Sequence, residues 1–167
     1  MTNIRRYDSY GRPVFSTHVT YRRQPVLVDN YDLLLESLLR TQRLVRFELI
    51  AWVVLPDHMH LLVDTGSGDL SGLMRRIKLS FSTFLRGRNA VRSGRAWQYR
   101  YWDHVIRDQV DLNRHLDYIH HNPVKHGFAR RPWEWELSSF HEFAAKGVYS
   151  QDWGERATLT FDGEYGE

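Results

Sequence analysis

Hydrophobic positions along this chain follow two periods in turn, one of two residues and one near 3.6. VFSTHVTY (14–21) alternates and is rich in β-branched and aromatic residues, which predicts a strand. NYDLLLESLLRTQRLVRF (30–47) carries Leu34, Leu35, Leu38, Leu39 and Val45 near the helical period, with Asp29 or Asn30 as N-cap. FELIAWVVL (47–55) reads as a buried strand and HMHLLVD (58–64) as the next, so Pro56-Asp57 is the turn of a hairpin. GSGD (66–69) is a loop. LSGLMRRIKLSFSTFLR (70–86) predicts a helix with Leu70, Leu73, Ile77, Phe81 and Phe84 inward and Arg75, Arg76 and Lys78 partly outward. A basic, glycine-bearing loop follows at 86–96, and WQYRYWDHVIR (97–107) ends in a strand. DQVDLNRHLDYIHHN (108–122) is a helix capped by Asp108 and stopped by Pro123, because the residue before proline disfavours the α conformation. A short helix lies at 138–147, and 148–167 is an irregular tail on a single domain spanning 1–167. The order β-α-β-β-α-β-α predicts an α+β fold, an antiparallel sheet with helices packed on one face.

Composition narrows the class. Hydrophobic residues make up 42% of the 167, with six Trp, nine Tyr and eight Phe, enough for one real core. No apolar run approaches the roughly 20 residues of a membrane span. The start, MTNIRRYDSYGR, lacks the apolar core of a secretory signal, so an intracellular location is expected. The absence of cysteine excludes disulfides and thiolate metal sites. Net charge is only +3, but most of the 23 basic residues are arginine, suited to bidentate phosphate contacts and to stacking on bases. That tilts the expectation toward nucleic acid.

WVVLPDHMHLLV (52–63) sets two histidines one residue apart in an apolar stretch. On a strand, His58 and His60 project to one side while Met59 and Leu61 face the other. Two imidazoles so placed can share a cation if further ligands join them, or can simply be half-buried histidines bonded to backbone carbonyls. The helix 108–122 supplies partners. Counted from Tyr118, Asn122 lies about 40° away around the helix and His115 and Arg114 within about 60°, beside a stripe of Leu112, Leu116 and Ile119 that can dock. The combination suits phosphoryl transfer. A divalent ion on His58, His60 and the Asn122 amide oxygen would polarise a phosphodiester, and the Tyr118 hydroxyl would attack it. The phosphotyrosine product keeps the energy of the broken ester, which suits strand exchange better than degradation.

These residues resemble a known family. AWVVLPDHMH and, some sixty residues later, YIHHNPVKHG are similar to the motifs of single-tyrosine HUH transposases. Within that family the chain resembles the REP-associated tyrosine transposases, from RRY (5–7) through WQYRYWDHVIRD to WELSSFH (135–141). The resemblance implies a ferredoxin-like sheet carrying the histidine pair, with the tyrosine on a neighbouring helix. It also implies Mg²⁺- or Mn²⁺-dependent cutting and rejoining of single-stranded DNA through a 5′-phosphotyrosine. Carried over by position, His58 and His60 become metal ligands, Tyr118 the nucleophile and Asn122 the third ligand, with His120 and His121 beside the tyrosine as competitors for that last place.

The implied substrate is a short palindromic DNA hairpin with an unpaired flank. Arg5, Arg6, Arg75, Arg76, Lys78, Arg95, Arg100 and Arg107 can hold its phosphates, and Tyr7 and Tyr99 can stack on splayed bases. The family implies a cytoplasmic, nucleoid-associated protein, monomer or homodimer. Two other readings stay open. A non-catalytic hairpin-binding protein would be expected to have lost Tyr118 or a histidine, and a hydrolase using water would leave no covalent adduct.

Overall fold

The predicted strand segments pair into one sheet: β1 (Val14–Val19), β2 (Glu48–Val54), β3 (His58–Asp64) and β4 (Trp102–Val105), in spatial order β2-β3-β1-β4 with every pair antiparallel. The computed structural model describes residues 11–66, 68–88, 94–155 and 159–167. Four α-helices accompany the sheet: α1 (Tyr31–Gln42), α2 (Leu70–Gly87), α3 (Gln109–Lys125) and α4 (Phe140–Ala145). The run β1-α1-β2-β3-α2-β4 is the ferredoxin-like arrangement, and the fold is α+β as expected. Pro56-Asp57 does turn the hairpin: Val54 pairs with Met59, and the Leu55 N–H donates to the His58 carbonyl at 2.9 Å.

The helices cover both faces, where one was expected. α1 and α2 pack on the side of Met59, Leu61 and Val63, with Leu34, Leu73, Ile77 and Phe81 against them. The opposite side, carrying Phe15, Ala51, Val53 and Leu62, is closed by α3 and α4 through Leu112, Leu116, Ile119, Phe140 and Phe143. The reason is legible in β3. Residues of both parities in HMHLLVD are buried, so neither face of that strand tolerates water.

Two helix ends also differ from expectation. α1 stops at Gln42, five residues early, where the N–H groups of Leu44 and Val45 both turn onto the Thr41 carbonyl. Asn30 stands at its N-cap, yet its amide donates to the Val26 carbonyl and caps nothing. α3 is capped by Asp108, whose carboxylate accepts from the Asp111 N–H at 2.8 Å, but it runs through Pro123 to Lys125. Proline removes only its own N–H bond. The next turn is held by His126 N–H to the Asn122 carbonyl and Phe128 N–H to the Pro123 carbonyl. That extra turn brings Lys125 onto the face of Tyr118.

Burial has a consequence for acid stability. His18 and His120 are fully buried, and burial lowers both pKa values, that of His120 to about 3. Below about pH 6.5 the unfolded chain binds protons that these folded histidines refuse, so stability falls as pH falls. The slope approaches roughly 1.4 kcal/mol per pH unit for each histidine. Thermal melts should show a midpoint dropping steeply between pH 7 and pH 5; a flat midpoint would contradict it. Among the described residues no helix is long and apolar enough to cross a membrane.

Candidate active site

β3 delivers the two histidines to the face covered by α3, as its alternation requires. His58 and His60 are buried, with ring centroids 5.1 Å apart, and His60 lies 5.3 Å from the Tyr118 ring. Phe15 forms the floor, stacked on His60 at 5.5 Å and edge-on to Tyr118.

Each imidazole is oriented by a bond on its far nitrogen. His58 Nδ1 lies 2.7 Å from Asp57 Oδ1, and the carboxylate can only accept. The Thr17 hydroxyl donates to the Tyr165 carbonyl, so toward His60 Nδ1, 2.8 Å away, it accepts. Both rings therefore carry their proton on Nδ1 and turn the Nε2 lone pair inward, the arrangement of metal-ligating histidines. Burial lowers both pKa values, that of His60 to about 4, which keeps these lone pairs free. His58 Nε2 and Asn122 Oδ1 are buried with no hydrogen-bond partner among the described residues.

The cavity between the histidines and α3 is filled by Glu167. Its Oε1 accepts from the Tyr118 hydroxyl and from Asn122 Nδ2 at 2.9 Å, and lies 3.0 Å from His60 Nε2. Its Oε2 bonds the Lys125 ammonium and stands 3.1 Å from His126 Nε2. Burial alone would raise the Glu167 carboxyl, but the bonds from His126, Lys125 and Tyr118 outweigh it and hold it ionised. The Tyr118 hydroxyl is pushed well above its usual range, by burial first and by that carboxylate second, while Lys125 Nζ donates to it at 3.0 Å. With His60 neutral and protonated on Nδ1, Nε2 and Oε1 face each other as two acceptors. A cation between them would resolve that contact. The ligand atoms of His58, His60 and Glu167 all lie within 4.8 Å of one another.

The tail that carries Glu167 has little periodicity and was expected to be irregular, yet its side chains are fitted to the site. Tyr165 stacks on Tyr118 at 3.7 Å and 8°. Gly166, at φ +76°, passes so close to Trp102 that a Cβ would collide with its ring. The signal in the sequence was FDGEYGE, where aromatic and acidic residues are spaced by glycines.

Sequence reasoning also missed Thr17, Asp57, Lys125 and His126. Tyr118, His58, His60 and Asn122 are brought together as expected. His115 is not with them. It turns to the Asp111 carbonyl at 2.8 Å and stacks on His104, while Asp111 is saturated by His104 and Arg107. This second cluster ties β4 to α3. His120 is bonded to Ser139 and Tyr149, and His121 lies among Trp153 and Phe161, so neither joins the histidine pair.

The basic residues are spread more widely. Arg75 and Arg76 are exposed on α2, across the sheet from His58, and Arg95, Tyr99 and Arg100 are exposed in the segment before β4. Lys78 is half-buried, and Arg107 is exposed but bonded to Asp111. Arg5, Arg6 and Tyr7 lie outside the described residues.

The profile of the family described as "Transposase IS200 like" matches residues 14–122. A REP-associated tyrosine transposase of Escherichia coli K12 is 37% identical over 167 residues, covering 98% of both chains. A Haemophilus influenzae relative of the same kind is 35% identical over 175 residues, covering 98% of this chain and 99% of that one. A solved structure of a REP-associated tyrosine transposase bound to a REP hairpin superposes with a TM-score of 0.82 at 37% identity, covering 100% of this chain and 98% of that one.

Proposed function

The chain belongs to the IS200-like transposase family, and from that premise we propose that it cleaves and rejoins single-stranded DNA at palindromic hairpins, with Tyr118 as the attacking group. One observation carries the reading. A single carboxylate oxygen, Glu167 Oε1, meets the Tyr118 hydroxyl, the Asn122 amide and His60 Nε2 together. A non-bridging oxygen of a scissile phosphate fits the same place.

His58, His60 and Asn122 would hold a Mg²⁺ or Mn²⁺ ion; the two inward lone pairs fit it, and a half-turn of the Asn122 amide puts its orphaned oxygen where Nδ2 now points. Such an ion, when bound, polarises the phosphate and offsets its charge. Tyr118 attacks phosphorus, the bond to the 3′ oxygen breaks, and the DNA 5′ phosphate becomes esterified to the phenol. The phenol loses a proton and the departing 3′ oxygen gains one. The Lys125 ammonium, 3.0 Å from the phenol oxygen, stabilises the phenolate as it forms. Rejoining is the same path reversed by a 3′ hydroxyl. The hairpin itself is drawn from the relative solved with a REP hairpin, and the exposed arginines of α2 and of 95–100 supply a basic surface for it. Such a substrate places the protein in the cytoplasm with the nucleoid. A labelled single-stranded hairpin with its flank should be cut in Mn²⁺ and left intact in EDTA; metal-independent cutting would count against the ion, and no cutting against the reading.

Glu167 then blocks the site in the described state, occupying the phosphate's place and holding the Tyr118 proton. Glu167→Gln removes the charge paired with Lys125 and should raise the initial cleavage rate about tenfold or more. A second reading rests on the proximity of Glu167 to both histidines, which would make it a metal ligand. In that case the same substitution lowers the rate, so one assay separates the two.

A further inference from the structure

The inward stripe of α2 contains Met74, Ile77, Phe81 and Leu85, all buried, and one charge, Lys78. Lys78 stands four residues after Met74 and three before Phe81, so it shares their face. Its ammonium lies 5.1 Å over the Tyr101 ring and 5.4 Å over the Trp97 ring, and it has no ion-pair partner among the described residues. Burial lowers its pKa to about 8.

Two buried polar atoms beside it have no hydrogen-bond partner among the described residues. His18 on β1 is fully buried, its ring 4.7 Å from Tyr101; Nε2 meets Ser16 Oγ at 3.0 Å, while Nδ1 has no hydrogen-bond partner among the described residues. The Trp97 indole N–H is buried with no acceptor among the described residues. Unmatched buried polar atoms cost stability, and two of them beside a half-buried cation require an explanation. Around this cluster the surface suits a nucleotide. Tyr99 is 86% exposed, and Arg75, Arg95 and Arg100 are exposed. Single strands are held by a cation on the backbone and an aromatic ring on the base. Lys78 and Tyr101, both partly exposed, form the mouth, with His18 and Trp97 behind them.

We infer that Lys78, Tyr101 and Trp97 seat one unpaired nucleotide of the bound DNA, on the face of the sheet away from Tyr118. Lys78 takes a phosphate oxygen and Tyr101 stacks on the base. This rests on the DNA-processing reading above, and its test is a binding measurement made where no cleavage occurs.

In a Tyr118→Phe background, Lys78→Gln should weaken binding of a labelled hairpin with its unpaired flank about tenfold or more. It should reduce the salt slope by roughly 0.7, the value for one phosphate on a single strand. The same hairpin without the flank should lose little. Lys78→Met, which puts an apolar side chain on an apolar stripe, should lose as much affinity while raising the thermal midpoint. Undiminished binding by Lys78→Gln would overturn the inference, as would equal losses on the two DNAs or a lowered midpoint for Lys78→Met. An unchanged salt slope with a loss confined to one base identity would overturn the phosphate contact in favour of a base edge. A Tyr118→Phe protein that binds neither DNA would overturn the DNA reading itself.

Discussion

Tyr118→Phe should abolish strand cleavage, a fall on the order of a thousandfold or more, while hairpin affinity stays within about twofold. The substitution removes one oxygen and keeps the ring that stacks on Tyr165 and packs edge-on to Phe15. It leaves the arginines of α2 and of 95–100 untouched. Because the lost group is the attacking atom, the deficit should appear in the rate at saturating DNA and not in the amount of DNA needed. Gel-resolved cleavage of an end-labelled hairpin, beside fluorescence anisotropy for binding, measures both. Cleavage at an undiminished rate would return Tyr118 to a packing role and favour attack by water.

The second large effect is expected at the histidine pair. His58→Ala or His60→Ala should lower cleavage about a hundredfold or more and weaken Mn²⁺ binding in calorimetry by a similar factor. His60→Ala also opens a space against Phe15, so its circular dichroism must first match that of the parent. Asn122→Ala should weaken Mn²⁺ binding more than His121→Ala, because Asn122 faces Glu167 while His121 faces Trp153 and Phe161. Mn²⁺ affinity that survives both histidine substitutions would remove the metal from this site.

The juxtaposition of Tyr118 with the histidine pair was readable because each half of it follows from a local period. Alternation on a strand puts His58 and His60 together, and 100° per residue on a helix puts Asn122 beside Tyr118. Where the pattern was not local, sequence reasoning ran out. HMHLLVD gives no sign of which face is which when both are buried, so helices were expected on one side only. Pro123 looks like a stop, because the bonds that carry α3 past it come from residues beyond it, at His126 and Phe128. The Thr17 contact to His60 joins residues 43 apart, and the Glu167 contact to the same ring joins residues 107 apart; neither spacing has a period to betray it. Lys78 is partly outward as its place on α2 predicts, but its ammonium lies over the Trp97 and Tyr101 rings, a contact no local period announces.

The most direct test of the central claim is the identity of the residue that carries the DNA. Wild-type protein is incubated with a single-stranded hairpin and Mn²⁺, denatured and digested, and the DNA-linked peptide is sequenced by mass spectrometry. The account predicts one adduct, a 5′ phosphate esterified to the hydroxyl of Tyr118, absent in EDTA. Cleavage without any adduct, or a phosphate carried instead by the stacked neighbour Tyr165, would contradict it.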